Sequence, residues 1–455
     1  MKLQFFGGTK TVTGANYLLE AGELRILVDC GLFQGSRFSE ELNYQPFVYK
    51  AAEIDYVLIT HSHADHIGRL PKLFKEGFRG TVITTEPTKG ILEVVLPDIL
   101  DKTSDEAKTM GHESLYNRLD MNGLLKLTRG ISYGKVIVLN ESVSVIFREI
   151  SHILGAATIE IRVRESEIIK KILFSGDVGN PPTLLLNPID YATNIDYLVI
   201  ESAYGNRLHE GRGQRKDKLL AVIKETVERR GVLMIPSFAL ERTQELLLEF
   251  DKPFDEGRLP KVPIFVDSPL AIHITRVYGR FSHFFNPTAV EILKNNKGLF
   301  NFPWLKFTPS TGESKKINEV PAPKIIIAGS GMSHGGRILH HERRYLSDPN
   351  STILFIGYQV KGSLGRKILD GEKEVVVLGE QVPVRCHIEA IGAYSAHADQ
   401  AGLMILIEKA NTGEGLKKLF IVQGEEESAQ SLAVLARDKL AIDVVIPNMH
   451  ETFVL

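Results

Sequence analysis

The chain has 455 residues, of which 43% are hydrophobic and 24% are charged, and its formal net charge is −2. This length exceeds that of a usual single domain, and the composition supports a substantial core and argues against disorder. A chain so close to neutrality is not a polycation, so any affinity for nucleic acid has to come from local patches.

Two cysteines, Cys30 and Cys386, are too few for a disulfide framework and lack the C-x-x-C spacing of a zinc knuckle. We interpret both as small buried hydrophobic residues. The first residues contain no long apolar segment after Lys2, and no apolar run along the chain reaches membrane-spanning length. A cytoplasmic location without a signal peptide or membrane attachment is therefore expected.

Short apolar, β-branched runs recur along the chain and predict buried strands. In chain order they lie at 24–28, 55–60, 81–85, 171–175, 196–200, 231–236, 263–266, 324–328, 351–356, 418–422 and 443–446. Helical patterns lie at 214–228, 241–250, 399–409 and 428–439. This alternation predicts a layered α/β fold. Two polar segments, 205–216 and 303–323, predict surface loops.

The most specific motif directly follows the predicted strand at 55–60, where Thr60 is followed by HSHADH. His61 and His63 are expected to project on one side of a tight loop. Asp65 and His66 can serve a second centre as the chain enters a helix. Imidazole and carboxylate suit zinc, and water can fill an open position. The alternative, a solvated loop that happens to be rich in histidine, is disfavoured by the strand-then-loop context.

Three further polar residues follow predicted strands or apolar stretches. Asp29 closes the strand at 24–28 and could orient a ligand histidine, although a turn or cap residue is an equal alternative. By themselves, His152 would be a buried core histidine and Asp177 a turn residue beside Gly176. Together they are better explained as polar ligands at one end of several strands, which is how α/β scaffolds assemble a site.

The ordered set of Asp29, HSHADH, His152 and Asp177 resembles the metallo-β-lactamase fold superfamily. The resemblance implies two zinc ions with Asp177 bridging them. It assigns three histidines to the first ion, namely His61, His63 and His152. It assigns two further residues to the second ion, namely Asp65 and His66.

Several longer motifs resemble the β-CASP branch of that superfamily, the nucleases that include the endonuclease of messenger-RNA 3′-end formation and its bacterial relatives. They are ESAYGNRLH (201–209), PSFALERTQEL (236–246), VDSPLA (266–271), SGMSHGGRILHH (330–341), IGYQVKGSLGR (356–366) and YSAHAD (394–399). The resemblance implies an αββα metallo-β-lactamase sandwich formed by 1–206 and 385–455, with an inserted α/β β-CASP domain at 207–384.

The same resemblance assigns roles to residues that the other patterns leave ambiguous. Glu201 matches the motif A carboxylate of the branch and His397 its motif B histidine. His397 would protonate the leaving oxygen, with Glu201 orienting it. Asp29 and Asp65 join them in the implied catalytic group. Without the surrounding motifs, Glu201 and His397 would be interpreted as ordinary loop or helix residues.

One position departs from the resemblance. RNA-cleaving members usually carry a zinc-binding histidine in a V-H-G-E segment near the C-terminus, whereas the matching FIVQGEEES has Gln423 there. A neutral amide oxygen is a weaker zinc ligand than imidazole, so the second zinc would rest on Asp65, His66 and Asp177, and its occupancy is left open. A milder departure is Asn180, where relatives often have arginine.

Residues 330–336 form a small-residue loop after the predicted strand at 324–328, and such a loop can offer backbone amides to phosphate. Basic residues follow it in an otherwise near-neutral chain, which favours single-stranded RNA as the substrate. The candidate contacts are Ser330, Gly331, Met332, Ser333, Gly335, Gly336, Arg337, Lys361 and Arg366. For any single basic residue, a solvated surface position is an equal alternative.

The activity implied is hydrolysis of RNA phosphodiester bonds by a metal-bound hydroxide, with His397 as general acid. Cleavage would be endonucleolytic, with exonucleolytic cleavage and a homodimer left open. A small-molecule hydrolase acting on an ester, thioester or lactam is a second hypothesis, disfavoured because such enzymes rarely need a large inserted domain. A weakly active or inactive RNA-binding scaffold is the third, disfavoured because six of the usual seven metal ligands are present.

Overall fold

The computed structural model describes residues 1–209, 213, 215–255, 257–258, 260–295, 300, 303–357, 359–360 and 362–455. The chain divides into two compact units, of which the first comprises Met1–Leu208 and His397–Leu455 and the second His209–Ala396. Strands and helices are numbered below in chain order. None of the helices in the described ranges is both long and apolar enough to cross a membrane.

One sheet of the first unit is formed by β1 (Lys2–Phe5), β2 (Tyr17–Ala21), β3 (Leu24–Val28), β4 (Tyr56–Leu58), β5 (Thr81–Thr85), β6 (Thr128–Ile131) and β22 (Thr452–Val454). Its strand order is β22-β1-β2-β3-β4-β5-β6. The strands from β3 to β6 run parallel, so their carboxyl ends lie at the same edge.

The other sheet of the first unit is formed by β7 (Val136–Val138), β8 (Val143–Glu149), β9 (Ala157–Glu165), β10 (Ile168–Phe174), β11 (Tyr197–Glu201), β20 (Lys418–Val422) and β21 (Val444–Val445). Its order is β21-β20-β11-β10-β9-β8-β7. Strands β10, β11 and β20 are parallel neighbours. The part of the first unit that follows the second unit in the chain, His397–Leu455, thus supplies β20 directly beside β11.

The core of the first unit lies between these two sheets. The ring of Phe5 on β1 lies 5.4 Å from that of Phe420 on β20, and Tyr17 on β2 stacks 6.1 Å from Phe174 on β10. Buried aliphatic side chains from both sheets complete the cluster. The flanking helices are α1 (Arg37–Glu41), α2 (Ala64–Ile67), α3 (Leu70–Lys75), α4 (Glu86–Met110), α5 (Arg118–Leu127), α13 (Gln400–Ala410) and α14 (Glu426–Leu440).

The second unit contains a parallel sheet of β12 (Val232–Pro236), β13 (Ile264–Val266), β14 (Leu305–Phe307), β15 (Lys324–Ala328), β16 (Thr352–Phe355) and β19 (His387–Ala390). Its order is β14-β13-β15-β12-β16-β19, and β17 (Glu374–Val377) pairs with β18 (Glu380–Pro383) as a hairpin. The helices are α6 (Arg215–Glu228), α7 (Arg242–Asp255), α8 (Pro269–Arg280), α9 (Pro287–Asn295), α10 (Thr311–Lys316), α11 (Ile338–Tyr345) and α12 (Leu364–Leu369).

Two sequence-based assignments differ from the structure. The segment 303–323 was expected to be a loop, but it contains β14 and α10, and Ser310 and Glu313 form a reciprocal capping box that starts this helix. The return to the first domain was expected near Arg385. The first unit resumes later, because β19 pairs in parallel with β16 and so continues the sheet of the second unit.

Candidate metal centre

Polar residues cluster where strands of the first unit end. Asp29 follows β3, Thr60 and His61 follow β4, Asp177 follows β10, and Glu201 is the last residue of β11. Because these strands run parallel to their neighbours within each sheet, their ends bring the side chains to one edge of the sandwich. The structure therefore assembles residues that are up to 172 positions apart (201 − 29) into one buried site.

A first set of donors consists of three imidazoles and one carboxylate whose ligand atoms all lie within 4.8 Å of one another, namely His61, His63, His152 and Asp177. His61 Nε2 lies 3.0 Å from His63 Nδ1, and His152 Nε2 lies 3.2 Å from the same atom. Asp177 Oδ2 lies 3.3 Å from His61 Nε2 and 3.4 Å from His152 Nε2. Nitrogen and carboxylate oxygen donors in this number can hold one metal ion.

The protonation of these donors also suits metal binding. Burial lowers the pKa of His61 and of His152 well below the ordinary histidine value, so both imidazoles are neutral and keep a lone pair. Burial alone would raise the pKa of Asp177, but the surrounding histidines hold the pKa of this carboxyl well below its usual range. The set thus contains two neutral imidazoles, those of His61 and His152, and one ionised carboxylate.

Asp29 lies behind this set and contacts His66. Its Oδ2 lies 2.7 Å from His66 Nδ1, and its Oδ1 accepts a hydrogen bond from the Thr60 amide at 2.8 Å. Asp29 has φ of 58°, a left-handed conformation that aspartate tolerates better than most residues. The following Gly31 is required, because a Cβ there would lie 1.5 Å from the Asp65 carbonyl oxygen. Asp29 thereby orients His66 so that Nε2 faces the centre.

Thr60 is a contact that the sequence patterns did not single out. Its buried hydroxyl donates to Asp29 Oδ2 at 2.7 Å and lies 3.1 Å from His61 Nδ1 and 3.3 Å from His66 Nδ1. One hydroxyl therefore contacts both histidines and the carboxylate behind them. Its place between a buried strand and His61 was the available indication.

Asp65 and His66 lie on the other side of Asp177. His66 Nε2 lies 3.1 Å from Asp177 Oδ1 and 3.8 Å from Asp65 Oδ2. The two oxygens of Asp177 therefore face different histidines, Oδ2 toward the first donor set and Oδ1 toward His66. Gln423 reaches the same place, with Nε2 2.7 Å from His66 Nε2.

A second pair of residues, Glu201 and His397, lies beside the donor set. His397 Nδ1 lies 3.2 Å from each carboxylate oxygen of Glu201, and its Nε2 lies 3.9 Å from Asp177 Oδ2. The backbone around His397 is held by a bridge to Gly179 and by a hydrogen bond from the Ala398 amide to the Val178 carbonyl at 2.7 Å. Burial lowers the pKa of His397, but Glu201 and Asp177 outweigh it and raise that pKa to about 9.

Replacing Glu201 by glutamine should lower the pKa of His397 from about 9 toward the ordinary value of 6.5, because the neutral amide removes the nearest negative charge. The pKa is measured by NMR titration of the histidine ring in chelator-treated protein. Glu414→Gln, at an exposed position, is the matched control and should leave the pKa unchanged. An unchanged His397 pKa in the Glu201 variant would show that another group supplies the charge.

The loop at 330–336 uses much of its hydrogen-bonding capacity internally. The Ser330 hydroxyl accepts hydrogen bonds from the amides of His334 and Gly335, and the Ser333 amide donates to the Ser330 carbonyl. The Ser333 side chain is buried and donates to Glu342. The Ser333 hydroxyl therefore faces the interior, and its predicted phosphate contact stays a prediction.

Arg337 is likewise engaged within the second unit. It pairs with Asp267 at 2.7 Å and donates to the carbonyls of Thr308 and Pro309. Asp267 also contacts His341, so Arg337 is part of a hydrogen-bonded network within the second unit. Its side chain is 18% exposed, and the predicted RNA contact by Arg337 stays a prediction.

The other predicted RNA contacts also stay predictions. Arg366 is partly exposed and pairs with Asp370 at 2.8 Å in the same helical turn. Lys361 lies outside the described residues. Ser330, Gly331, Met332, Gly335 and Gly336 stay predictions.

Glu342 should make the second unit less stable at high pH. Burial raises its pKa from 4.5 to about 8, so the folded state binds the proton more tightly than the unfolded state. This contribution is fully present below pH 4.5 and is lost as the pH rises through about 8. Glu342→Gln should flatten this dependence, with a difference between pH 5 and 8 on the order of 3 kcal/mol.

The free energy of unfolding at each pH is measured by urea unfolding followed by the fluorescence of Trp304, which lies in the second unit and is the single tryptophan of the chain. Glu319→Gln, at an exposed position, is the control and should show the same change of unfolding free energy with pH as wild type. If the free energies of unfolding of wild type and Glu342→Gln change equally with pH, the raised pKa of Glu342 is contradicted.

The two-sheet fold and the donor set at its edge define a metal-dependent hydrolase of the metallo-β-lactamase type. Three family models match the chain: Metallo-beta-lactamase superfamily at 11–225, Beta-Casp domain at 243–368, and Zn-dependent metallo-hydrolase RNA specificity domain at 381–447. A ribonuclease of Thermus thermophilus is 36% identical over 436 residues, which cover 96% of each chain. The chain therefore belongs to the β-CASP family within the metallo-β-lactamase superfamily.

Further similarities agree with this assignment. An RNase J-like protein of Methanocaldococcus jannaschii is 30% identical over 98% of this chain and 97% of its own. The transcription termination factor FttA of Methanosarcina mazei is 29% identical over 97% of this chain and 70% of its own. A crystal structure of an Enterococcus faecalis protein of unknown function, 13% identical, shares the fold with a TM-score of 0.56 over 100% of this chain and 99% of its own. The predicted resemblance and fold class are confirmed.

Proposed function

We propose that this protein is a zinc-dependent ribonuclease that hydrolyses phosphodiester bonds in single-stranded RNA. The observation that carries the proposal is the position of His397, whose Nε2 lies 3.9 Å from Asp177 Oδ2 at the edge of the donor set. A proton donor at this place suits a substrate whose leaving group is a basic alkoxide, as in RNA. The relative named a ribonuclease and the match to an RNA specificity domain support the same substrate class.

The first donor set fits a zinc ion. Two ligands of one tetrahedral zinc, each about 2.0–2.1 Å from it, lie about 3.3–3.4 Å apart. Four separations within the set, of 3.0, 3.2, 3.3 and 3.4 Å, are close to this value, and His63 Nδ1 lies 3.9 Å from Asp177 Oδ2. We therefore propose that His61, His63, His152 and Asp177 hold zinc. A bound zinc ion supplies Lewis acidity to a phosphoryl oxygen and lowers the pKa of water.

The residues around the set perform the remaining steps. Glu201 accepts a hydrogen bond from His397 Nδ1, which fixes the ring and favours its charged form. Water adds to phosphorus and loses one proton to the solvent, the bond from phosphorus to the leaving 3′-oxygen breaks, and His397 Nε2 gives its proton to that oxygen. Asp29 and Thr60 keep the histidine rings in place during this change. The cytoplasmic location and the homodimer stay predictions.

Incubation of the purified chain with end-labelled single-stranded RNA, with zinc and with excess chelator, tests the proposal. Cleavage with zinc that stops with chelator is expected, and comparing 5′- and 3′-labelled strands separates internal cleavage from end-directed degradation. A DNA strand of the same sequence tests whether the 2′-hydroxyl is required. Turnover of a thioester or β-lactam with intact RNA would favour a small-molecule hydrolase. RNA that is bound but uncut in the presence of zinc would favour a scaffold.

A further inference from the structure

The two sides of Asp177 differ in their capacity for metal. Among the described residues, two groups of three or more candidate donors lie mutually within 4.8 Å, and neither includes Asp65 or His66. The first is the set of His61, His63, His152 and Asp177. The second joins Asp177 to Glu201 and His397, the pair to which the proposed function assigns proton transfer. Oδ2 of Asp177 faces the three-histidine set, whereas Oδ1 faces His66 and Gln423. The second side is therefore poorer in donors than the first.

Gln423 is fixed in place by its backbone. It follows β20 directly and is 3% exposed. Its amide donates to the Gly8 carbonyl at 2.7 Å, and its carbonyl accepts from the Ser202 amide at 3.3 Å. Both backbone groups are hydrogen-bonded to other segments of the first unit, and the buried side chain reaches the centre, with Nε2 2.7 Å from His66 Nε2.

The Gln423 amide contacts two of the three residues on which a second ion would depend. Its Nε2 lies 2.7 Å from His66 Nε2 and 3.4 Å from Asp177 Oδ1. His66 Nδ1 faces the Asp29 carboxylate at 2.7 Å and so carries the proton, which leaves a lone pair on Nε2 to accept from the amide. The Gln423 side chain therefore occupies the position next to His66 Nε2 that a second ion would need.

The separation itself argues against shared ligation. Ligands of one tetrahedral ion lie about 3.3–3.4 Å apart. The 2.7 Å between Gln423 and His66 is the length of a hydrogen bond. The set of Asp65, His66, Asp177 and Gln423 therefore does not fit the second zinc ion that the family resemblance implies.

We propose that this centre holds a single metal ion, bound by His61, His63, His152 and Asp177, and that the Gln423 side-chain amide takes the place of a second one by hydrogen bonding to His66 Nε2. The proposal rests on the proposed function in one respect, namely that the first donor set is a metal site. The hydrolysis then depends on one ion together with the charge of His397. A glutamine at position 423 sets the metal stoichiometry of this chain.

Counting metal per chain tests the proposal without any activity measurement. The metal-free full chain is equilibrated with zinc or with manganese, freed of unbound ions, and analysed by plasma mass spectrometry. Wild type should hold about one ion in either case, and Gln423→His about two zinc ions, because imidazole restores the fourth donor. Gln381→His, the same substitution at an exposed position on β18, is the matched control and should stay at about one.

Three outcomes would overturn the proposal. They are a wild type that binds two zinc or two manganese ions, a wild type that binds none, and a folded Gln423→His variant that still binds one. The metal count of wild type can refute the proposal by itself, so the test remains valid even if the Gln423→His protein fails to fold. A wild type that binds one zinc ion but leaves RNA intact would support the single-ion centre and contradict the proposed ribonuclease.

Discussion

Replacing His397 by alanine should lower kcat for RNA cleavage on the order of 1,000-fold while leaving the zinc content unchanged. The reason is geometric: His397 contacts Glu201 through Nδ1 and presents Nε2 to the donor set, but it is not one of the four residues that form that set. Removing it deprives the leaving 3′-oxygen of its proton. The measurement is single-turnover cleavage of labelled RNA at saturating enzyme, with zinc counted in the same samples.

A substrate with a better leaving group separates this role from a structural one. The p-nitrophenyl ester of a nucleoside monophosphate releases a weakly basic phenolate that needs no proton. His397→Ala should therefore lose little activity on this ester and much on RNA. His387→Ala, which removes an exposed histidine of β19, is the control and should cleave both substrates at the wild-type rate. Equal losses of activity on both substrates, or a loss of bound zinc, would show that His397 does not act by protonating the leaving oxygen.

Replacing Asp177 by asparagine should weaken zinc binding by more than about 100-fold, because losing even a residue that merely supports a ligand costs 10- to 100-fold. Asp177 is the carboxylate common to both donor groups, and its two oxygens face His61 and His66. The amide keeps the shape but carries no charge, so the buried imidazoles lose their anionic partner. Hydrolysis of RNA and of the p-nitrophenyl ester should fall together.

Competition with a coloured chelator measures this affinity. Asp101→Asn, at an exposed position on α4, is the control and should bind zinc as wild type does. Circular dichroism checks that the asparagine variant is folded. A folded Asp177→Asn protein that keeps wild-type zinc affinity would remove this residue from the metal site and with it the proposed role of the donor set.

The sequence-based predictions succeed where a local pattern determines the structure. Buried β-branched runs became strands, as at β3, β5, β15 and β20, because such side chains favour the interior of a parallel sheet. The polar residues placed after them, such as Asp29 and His61, lie at the sheet edge as expected. Each prediction of this kind depends on a few neighbouring residues and on the common direction of parallel strands.

Predictions that depend on distant partners could not be made from the residues alone. Glu201 and His397 are 196 positions apart, and only the family resemblance paired them. The ion pair between Arg337 and Asp267 was not predicted, because the two residues are 70 positions apart. The 25-residue helix α4 was not predicted, because Gly90 and Pro97 interrupt its helical pattern. Its residues Ile91, Val95 and Ile99 are nevertheless buried along one face.

The order of residues along the chain has a consequence for synthesis on the ribosome. All four donors of the metal set precede residue 178, whereas His397 follows the whole second unit and β20 and β22 follow His397. Strand β22 pairs with β1, Lys2 opposite Val454, so the first sheet gains this strand only after residues 452–454 have been added. A nascent chain thus acquires its metal-binding residues early and its proton donor late. Under the proposed function, a chain not yet extended past residue 397 lacks the proton donor that RNA hydrolysis requires.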